Sequence, residues 1–167
     1  MAQANNQSDD AASAGEWSYV EECSFDSDLE LLFPDSYIPT SGERILLYRE
    51  LDSLTTDAEV ELYRRRLEDR FGHLPIEGEE LLRVVPLRRM AAALGIEKII
   101  LKQGRMALYF VSDTESPYYD SPIFHRVLQR SGLIGHECRF RETSGRQSLL
   151  VSGISSVQDA LEVVKKL

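Results

Sequence analysis

The sequence predicts an α+β domain whose helices pack on an antiparallel sheet, and three observations support that class. Apolar residues recur at helical spacing in three consecutive segments between residues 42 and 94. Beyond residue 96 the period changes to the alternation that is typical of β-strands, with tight-turn sequences between paired strands. Each pair of strands precedes a short helical segment, so an all-helical first half is followed by two ββα units.

The N-terminal segment is acidic and poor in large apolar residues. The 167-residue chain has 28 Asp+Glu against 19 Lys+Arg, a net charge of −9, and residues 1–40 contain nine of the acids and no Lys or Arg. Residues 41–167 therefore carry equal numbers of both signs. Solvated acidic segments of this kind are typical of disordered linkers. We expect a disordered acidic linker over residues 1–24 and a single folded domain over residues 25–167.

The first helix is predicted over residues 42–53. Ahead of it, apolar residues alternate over 29–33 and stop at Pro34, which predicts an extended segment. Thr40 and Glu43 have the spacing of a capping box, in which each side chain bonds a backbone N–H of the other residue. The apolar stripe predicted to face the core comprises Ile45, Leu46, Tyr48 and Leu51.

The second helix should begin at Asp57, where Thr56 and Glu59 form another capping box, and end at Gly72. Offsets of 0, 3, 7 and 11 place one stripe on its buried side. That stripe comprises Val60, Tyr63, Leu67 and Phe71. Charged residues occupy most of the remaining positions, so the opposite side of this helix is predicted to face solvent.

The third helix is predicted over residues 76–94. Pro75 precedes its first turn and Gly95 supplies a stop after its last residue. Pro86 lies inside this segment, where a proline removes one hydrogen bond and clashes with the carbonyl four residues earlier. We therefore expect a kink near residues 82–86, or two shorter helices.

Two hairpins, each followed by a helix, make up the second half. Strands are predicted over 98–102 and 106–112 around the turn at Gly104, and over 137–143 and 146–152 around the turn at Gly145, because glycine readily takes positive φ. The two helices are predicted over residues 122–130 and 157–166, with Ser121 and Ser156 at their N-caps.

Few residues indicate catalysis, metal binding or membrane insertion. The only cysteines are Cys23 and Cys138, and His136 with Cys138 offers two ligands where zinc normally takes three or four protein ligands. No phosphate-binding loop and no set of nucleophile, base and oxyanion donors is evident. We therefore expect no catalytic residue, no metal and no cofactor in this chain. Without a signal peptide or a stretch of ~20 apolar residues, we expect a cytoplasmic protein that does not contact a membrane.

Basic residues offer two candidate nucleic-acid contacts. Arg64–Arg66 form a basic run, but helical spacing pairs Glu61 with Arg65, Arg64 with Glu68, and Arg65 with Asp69, so the run is predicted to be half of a salt-bridge lattice. Three arginines of the second hairpin form the other candidate, with too few aromatic residues for a stacking platform. They are Arg139, Arg141 and Arg146. We do not expect direct DNA binding, and a nucleic-acid-contacting module stays the alternative to a docking role.

One combination of motifs resembles a known family. Residues 67–75 read Leu-Glu-Asp-Arg-Phe-Gly-His-Leu-Pro, and residues 87–96 read Leu-Arg-Arg-Met-Ala-Ala-Ala-Leu-Gly-Ile, after a connector bracketed by Pro34 and Pro39. This order resembles the C-terminal regulatory domain of bacterial transcription-repair coupling factor, the Mfd/TRCF family, most closely over residues 28–112. The family motif residues are Phe71, Gly72, Pro75, Arg88 and Gly95.

The resemblance implies a non-catalytic, autoinhibitory domain of an ATP-dependent DNA translocase that couples transcription to nucleotide-excision repair. ATP and Mg would then bind in the motor domains of the parent protein. In the family, this domain docks on a UvrB-like N-terminal module of the same protein and masks the surface that binds UvrA, so UvrA and RNA polymerase are indirect partners. The resemblance places Asp69 in that intramolecular interface, with Glu68 and Arg70 beside it, whereas Arg66 stands where related sequences can carry an acid.

Overall fold

The structure is a computed structural model and describes residues 18–167. Of the predicted acidic linker, residues 1–17 lie outside the described residues. The remaining part packs on the domain, since Val20 is 6% exposed and Cys23 is 1% exposed. The packed region therefore begins ahead of the predicted boundary at residue 25.

Five helices and one 3₁₀ turn are present in residues 18–167. The α-helices are α1 (Ser41–Asp52), α2 (Asp57–Phe71), α3 (Ile76–Ala93), α4 (Pro122–Ser131) and α5 (Val157–Lys166), and the 3₁₀ turn is Pro117–Asp120. Each predicted helix is confirmed to within about one residue at either end. Pro86 lies inside α3. The alternative of two shorter helices is therefore wrong.

A five-stranded sheet forms the second half and one edge comes from the N-terminal segment. The strands are β1 (Ser24–Ser27), β2 (Ile96–Lys102), β3 (Arg105–Phe110), β4 (Cys138–Thr143) and β5 (Arg146–Ser152). Their order is β1-β2-β3-β5-β4, antiparallel throughout except that β1 runs parallel to β2. Both hairpins are confirmed, and their turns have positive φ at Gln103 and Gly104 and at Ser144 and Gly145. The α+β class is confirmed, with a mixed sheet in place of an antiparallel one.

The alternating residues 29–33 follow the edge strand β1 and form no strand themselves. Pairing of the N-terminal segment with β2 ends at Asp28, whose N–H donates to the Leu101 carbonyl at 3.2 Å. The chain then turns toward the helices, and the Phe33 N–H donates to the Tyr48 hydroxyl at 2.9 Å. Leu29 and Leu31 pack on the core without forming a ladder. These residues alternate because one side of this extended connector is buried against the core.

The domain has two apolar clusters that share α3. One lies between the sheet and the helices and includes Leu87 and Ala91 of α3; the other joins α1, α2 and α3 and includes Leu82. The fully buried apolar residues of the sheet belong to the first cluster, namely Ile96, Ile99, Leu101, Met106, Leu108, Phe110, Leu149 and Val151. Helix α2 contributes only to the second cluster, so it lies on the outer side of the helical half.

Two expectations for α1 are wrong. Ile45 and Leu46 are 50% and 63% exposed, because α1 turns Tyr48 and Leu51 toward the core. Thr40 caps α1 without a side-chain hydrogen bond. Glu43 pairs with an arginine of α2, so the predicted capping box does not form. The second box is confirmed, with Thr56 and Glu59 bonding each other's backbone N–H groups.

Candidate docking surface on the second helix

The outer side of α2 carries the residues that the family resemblance singles out. Val60, Tyr63 and Leu67 are buried, which turns the opposite side of the helix toward solvent. Asp69 and Arg70 are exposed and Glu68 is half-buried. The predicted separation of buried and solvent-facing sides is therefore confirmed for α2.

Every arginine of α2 is held by a carboxylate. The pairs are Arg64 with Glu61 at 3.4 Å and with Glu79 of α3, Arg65 with Glu61 at 3.6 Å, Arg66 with Glu50 of α1, and Arg70 with Glu43 of α1. Three of these pairs join neighbouring helices, so they fix α2 against α1 and α3. Sequence spacing within one helix could not reveal them.

Glu68 and Asp69 form no ion pair within residues 18–167. The predicted pairs Arg64–Glu68 and Arg65–Asp69 are wrong, because Arg64 reaches across to α3 and Arg65 turns back to Glu61. Neither carboxylate therefore has an ion-pair partner among the described residues, although Glu68 is close enough to Arg64 to help raise the pKa of that guanidinium. They also lie in the last turn of α2, where the helix dipole adds further negative potential.

The pKa values of Tyr37 and Arg64 are raised by their surroundings near α2. Burial raises the pKa of Tyr37, and the carboxylates of Glu68 and Glu79 raise it further. The hydrogen bond from Arg64 to Glu79 raises the pKa of that guanidinium. The Tyr37 phenol is therefore harder to ionise mainly because it is buried, and the Arg64 guanidinium is harder to deprotonate mainly because it is hydrogen-bonded to Glu79.

The first three motif residues shape the junction between α2 and α3. Phe71 packs against Tyr37, with ring centroids 5.7 Å apart, and the Arg70 guanidinium lies 4.9 Å from the Phe71 centroid. Gly72 ends α2 at φ +89°, and its carbonyl accepts the Tyr37 hydroxyl proton at 2.8 Å. Pro75 then caps α3. This junction orients the acidic last turn of α2.

The other two motif residues act elsewhere in the fold. Arg88 donates from Nε to the carbonyl of Cys23 at 2.6 Å, which ties α3 to the N-terminal segment. Gly95 follows α3 at φ +84°, with the Tyr118 ring packed against its Cα. Neither residue belongs to the surface around Asp69, so the motif describes the scaffold more than the contact.

Exposed apolar side chains near the acids were missed by the sequence reasoning. Leu62 of α2 is 61% exposed and lies seven residues before Asp69, hence on the same side of the helix. Leu46 of α1 shares a helical side with Glu43 and Glu50, which pair with α2. A signal was available, since four consecutive apolar residues from Ile45 cannot all face one side of a helix.

The other candidate site is a cavity beside Cys23. Its volume is about 190 Å³, but Arg88 in its wall bonds a carbonyl and Arg89 pairs with Asp57 at 2.9 Å. Burial raises the pKa of the Cys23 thiol to about 12, which keeps it protonated at neutral pH.

Within residues 18–167 no group of three or more His, Cys, Asp or Glu side chains could hold a metal ion. No helix in the same range is long and apolar enough to cross a membrane.

Comparison with known proteins identifies the family. The family model of the TRCF domain matches residues 27–121, more than half of the chain. The chain belongs to the TRCF domain family. Transcription-repair-coupling factor of Rickettsia prowazekii is 39% identical over 71 residues, which cover 42% of this chain and 6% of the relative. The Escherichia coli protein of the same name is 37% identical over 95 residues, 54% of this chain and 8% of the relative.

The fold has also been seen in a solved structure. The crystal structure of a C-terminal domain of transcription-repair coupling factor superposes with a TM-score of 0.70 at 14% identity, covering 87% of this chain and 92% of that chain. The chain spans less than a tenth of the length of the curated relatives. The match to the TRCF family model includes α1, α2 and α3, whereas α4 and the second hairpin lie beyond it.

Proposed function

We propose that this TRCF domain is the non-catalytic regulatory domain of a transcription-repair coupling factor, and that α2 docks on the UvrB-like N-terminal module of the same protein. Docking would mask the surface that binds UvrA until RNA polymerase is engaged, and so couple transcription to nucleotide-excision repair. ATP and Mg would bind in the motor domains of the parent translocase. The observation that carries the proposal is that Glu68 and the exposed Asp69 have no ion-pair partner among residues 18–167, on a helix whose four arginines all pair with other carboxylates.

The charges of this surface suit a contact that has to open. An exposed ion pair contributes ~0–1 kcal/mol and acts mainly on encounter and orientation. In the proposed contact, ion pairs of the acids would lie around apolar area supplied by Leu46 and Leu62. Complete burial of a leucine is worth about 1.5–3 kcal/mol. A few contacts of this size hold a domain that is already tethered, yet a competing partner can displace it.

Charge reversal in the full-length protein tests the proposal. Asp69→Arg places a cation against the basic surface that the proposal requires, and we expect higher basal ATPase activity and tighter UvrA binding. Glu115→Arg is the matched control, because Glu115 is also exposed and unpaired among the described residues but lies in the turn after β3. Unchanged ATPase and UvrA binding in Asp69→Arg, or an equal response in Glu115→Arg, would remove Asp69 from the contact.

A further inference from the structure

Among residues 18–167, no helix packs on one face of the five-stranded sheet. The cluster between sheet and helices uses only one side of the strands, and the other side presents Ile100, Ala107 and Leu150. These three side chains are half-buried and belong to neither apolar cluster. The strand register aligns them, Ile100 opposite Ala107 and Ala107 opposite Leu150. We call this side of the sheet the open face, and these three residues its apolar row.

Cations surround the apolar row. Alternation and register place six of them on the open face, namely Lys98, Lys102, Arg105, Arg139, Arg141 and Arg146. Lys102 pairs with Asp26 at 3.1 Å and Arg146 pairs with Glu97 at 3.2 Å. Asp26 of β1 lies opposite Ile100 at one end of the apolar row, and a third acid, Glu137, lies just before β4 at the opposite edge of the sheet. The other four cations form no ion pair within residues 18–167, in a chain whose net charge is −9.

A planar stack adjoins the apolar row. The guanidinium of Arg146 lies 5.1 Å from the ring centroid of Tyr109, and both side chains are half-buried. Nε of Arg146 is buried and has no hydrogen-bond partner in the described part of the chain. Tyr109 pairs with Lys98 on one side and Ser148 on the other, so the stack lies one row along the strands from Ala107.

We propose that the open face binds single-stranded nucleic acid, with phosphates on the unpaired cations and bases against the apolar row and the Tyr109–Arg146 stack. Arg139 and Arg141 lie on one side of the same strand and are therefore ~6.8 Å apart along it, a repeated cation that suits a polyanionic backbone. Sheet faces with aromatic and basic residues bind single strands in this way. This inference does not rest on the proposed docking of α2, which involves other elements.

A single strand fits better than a duplex or an acidic protein segment. In the described part of the chain the open face consists of strands and presents no helix to a groove, and a duplex hides the base faces that the apolar row would contact. Carboxylates of an acidic segment would use the cations and leave the apolar row and the stack exposed. The combination of flat apolar surface, guanidinium plane and unpaired cations therefore favours unstacked bases joined by phosphates.

Fluorescence anisotropy of a labelled oligothymidylate of about 20 nucleotides, titrated with the 167-residue chain, tests the proposal. We expect micromolar binding at low salt and, for four phosphate contacts, a slope of log K against log salt of about −2.8. Arg139→Ala with Arg141→Ala should reduce the slope to about −1.4 and weaken binding about tenfold. The control pair Arg126→Ala with Arg130→Ala removes the same charge from exposed positions of α4 and should change affinity less than twofold.

Four outcomes would overturn the inference. They are absence of binding at low salt, equal loss in the two double variants, equal or tighter binding of duplex DNA, and displacement by polyglutamate as efficient as by the oligonucleotide. An abasic oligonucleotide of the same length distinguishes phosphate contacts from base contacts, because it keeps the phosphates and lacks the bases. Weaker binding of the abasic strand supports base contacts on the apolar row, whereas equal binding contradicts them.

Discussion

Replacing Gly95 by alanine tests whether the fold requires a glycine at this motif position. Gly95 has φ +84°, and a Cβ built there would overlap the ring of Tyr118, with the hydroxyl oxygen at 2.8 Å. That ring is fully buried, and its hydroxyl donates to the Leu94 carbonyl at 2.6 Å. The ring therefore has to move for the methyl group to fit, which breaks a buried hydrogen bond.

The magnitude follows from two separable costs. Positive φ at a non-glycine residue costs about 1–3 kcal/mol. Displacing packed core atoms costs another 1–3 kcal/mol or so. We expect Gly95→Ala to lower the free energy of unfolding by about 2–6 kcal/mol.

Two other glycines serve as controls for the two costs. Gly72 has φ +89° but no atom within 4 Å of a built Cβ, so Gly72→Ala should lose only about 1–3 kcal/mol. Gly132 has φ −74° and equally open surroundings, and Gly132→Ala should be neutral or gain about 0.4–1 kcal/mol. Urea denaturation followed by circular dichroism measures all three variants. Equal losses for Gly95→Ala and Gly72→Ala would refute the role assigned to the Tyr118 ring.

The helix caps and the buried thiol give further expectations. Thr56→Ala should cost about 1 kcal/mol of unfolding free energy, and Thr40→Ala less than half of that, because only Thr56 bonds a backbone N–H; equal losses in urea denaturation would contradict the cap assignment. Cys23 in a Cys138→Ala variant should not react with a thiol reagent at pH 8 until the chain unfolds, and rapid reaction of the native chain would contradict its burial. Since the folded-state pKa of Cys23, about 12, exceeds the ordinary value of 9.0, its contribution to stability should be complete below pH 9 and decline as pH rises toward 12.

Local signals in the sequence predict most of the fold. Helix ends depend on caps and glycines that act within a few residues, and hairpins depend on two-residue turns such as Gln103-Gly104, so both are readable from neighbouring positions. The edge strand is different, because pairing of β1 with β2 joins Ser24 to Lys98 across the whole helical half. An alternation of apolar residues shows that one side is buried without showing what covers it.

The candidate docking surface also has features that the sequence predicts and features that depend on how the helices pack. Helical period alone predicts that Asp69 faces solvent, and the motif around Gly72 predicts where α2 ends. The partners of the α2 arginines could not be predicted, because Glu50 and Glu43 come from α1 and Glu79 from α3. Only the packed helices show that Glu68 and Asp69 are left without an ion-pair partner in the described part of the chain.

The central claim is that α2 docks through Asp69 on another module of the parent protein, and direct binding tests it. The 167-residue chain can be titrated, by isothermal calorimetry, into the separately purified UvrB-like N-terminal module of the same protein. We expect saturable binding that weakens with salt, falls at least tenfold in Asp69→Arg, and is unchanged in Glu115→Arg. Absence of binding, or equal affinity of the wild type and Asp69→Arg, would contradict the account.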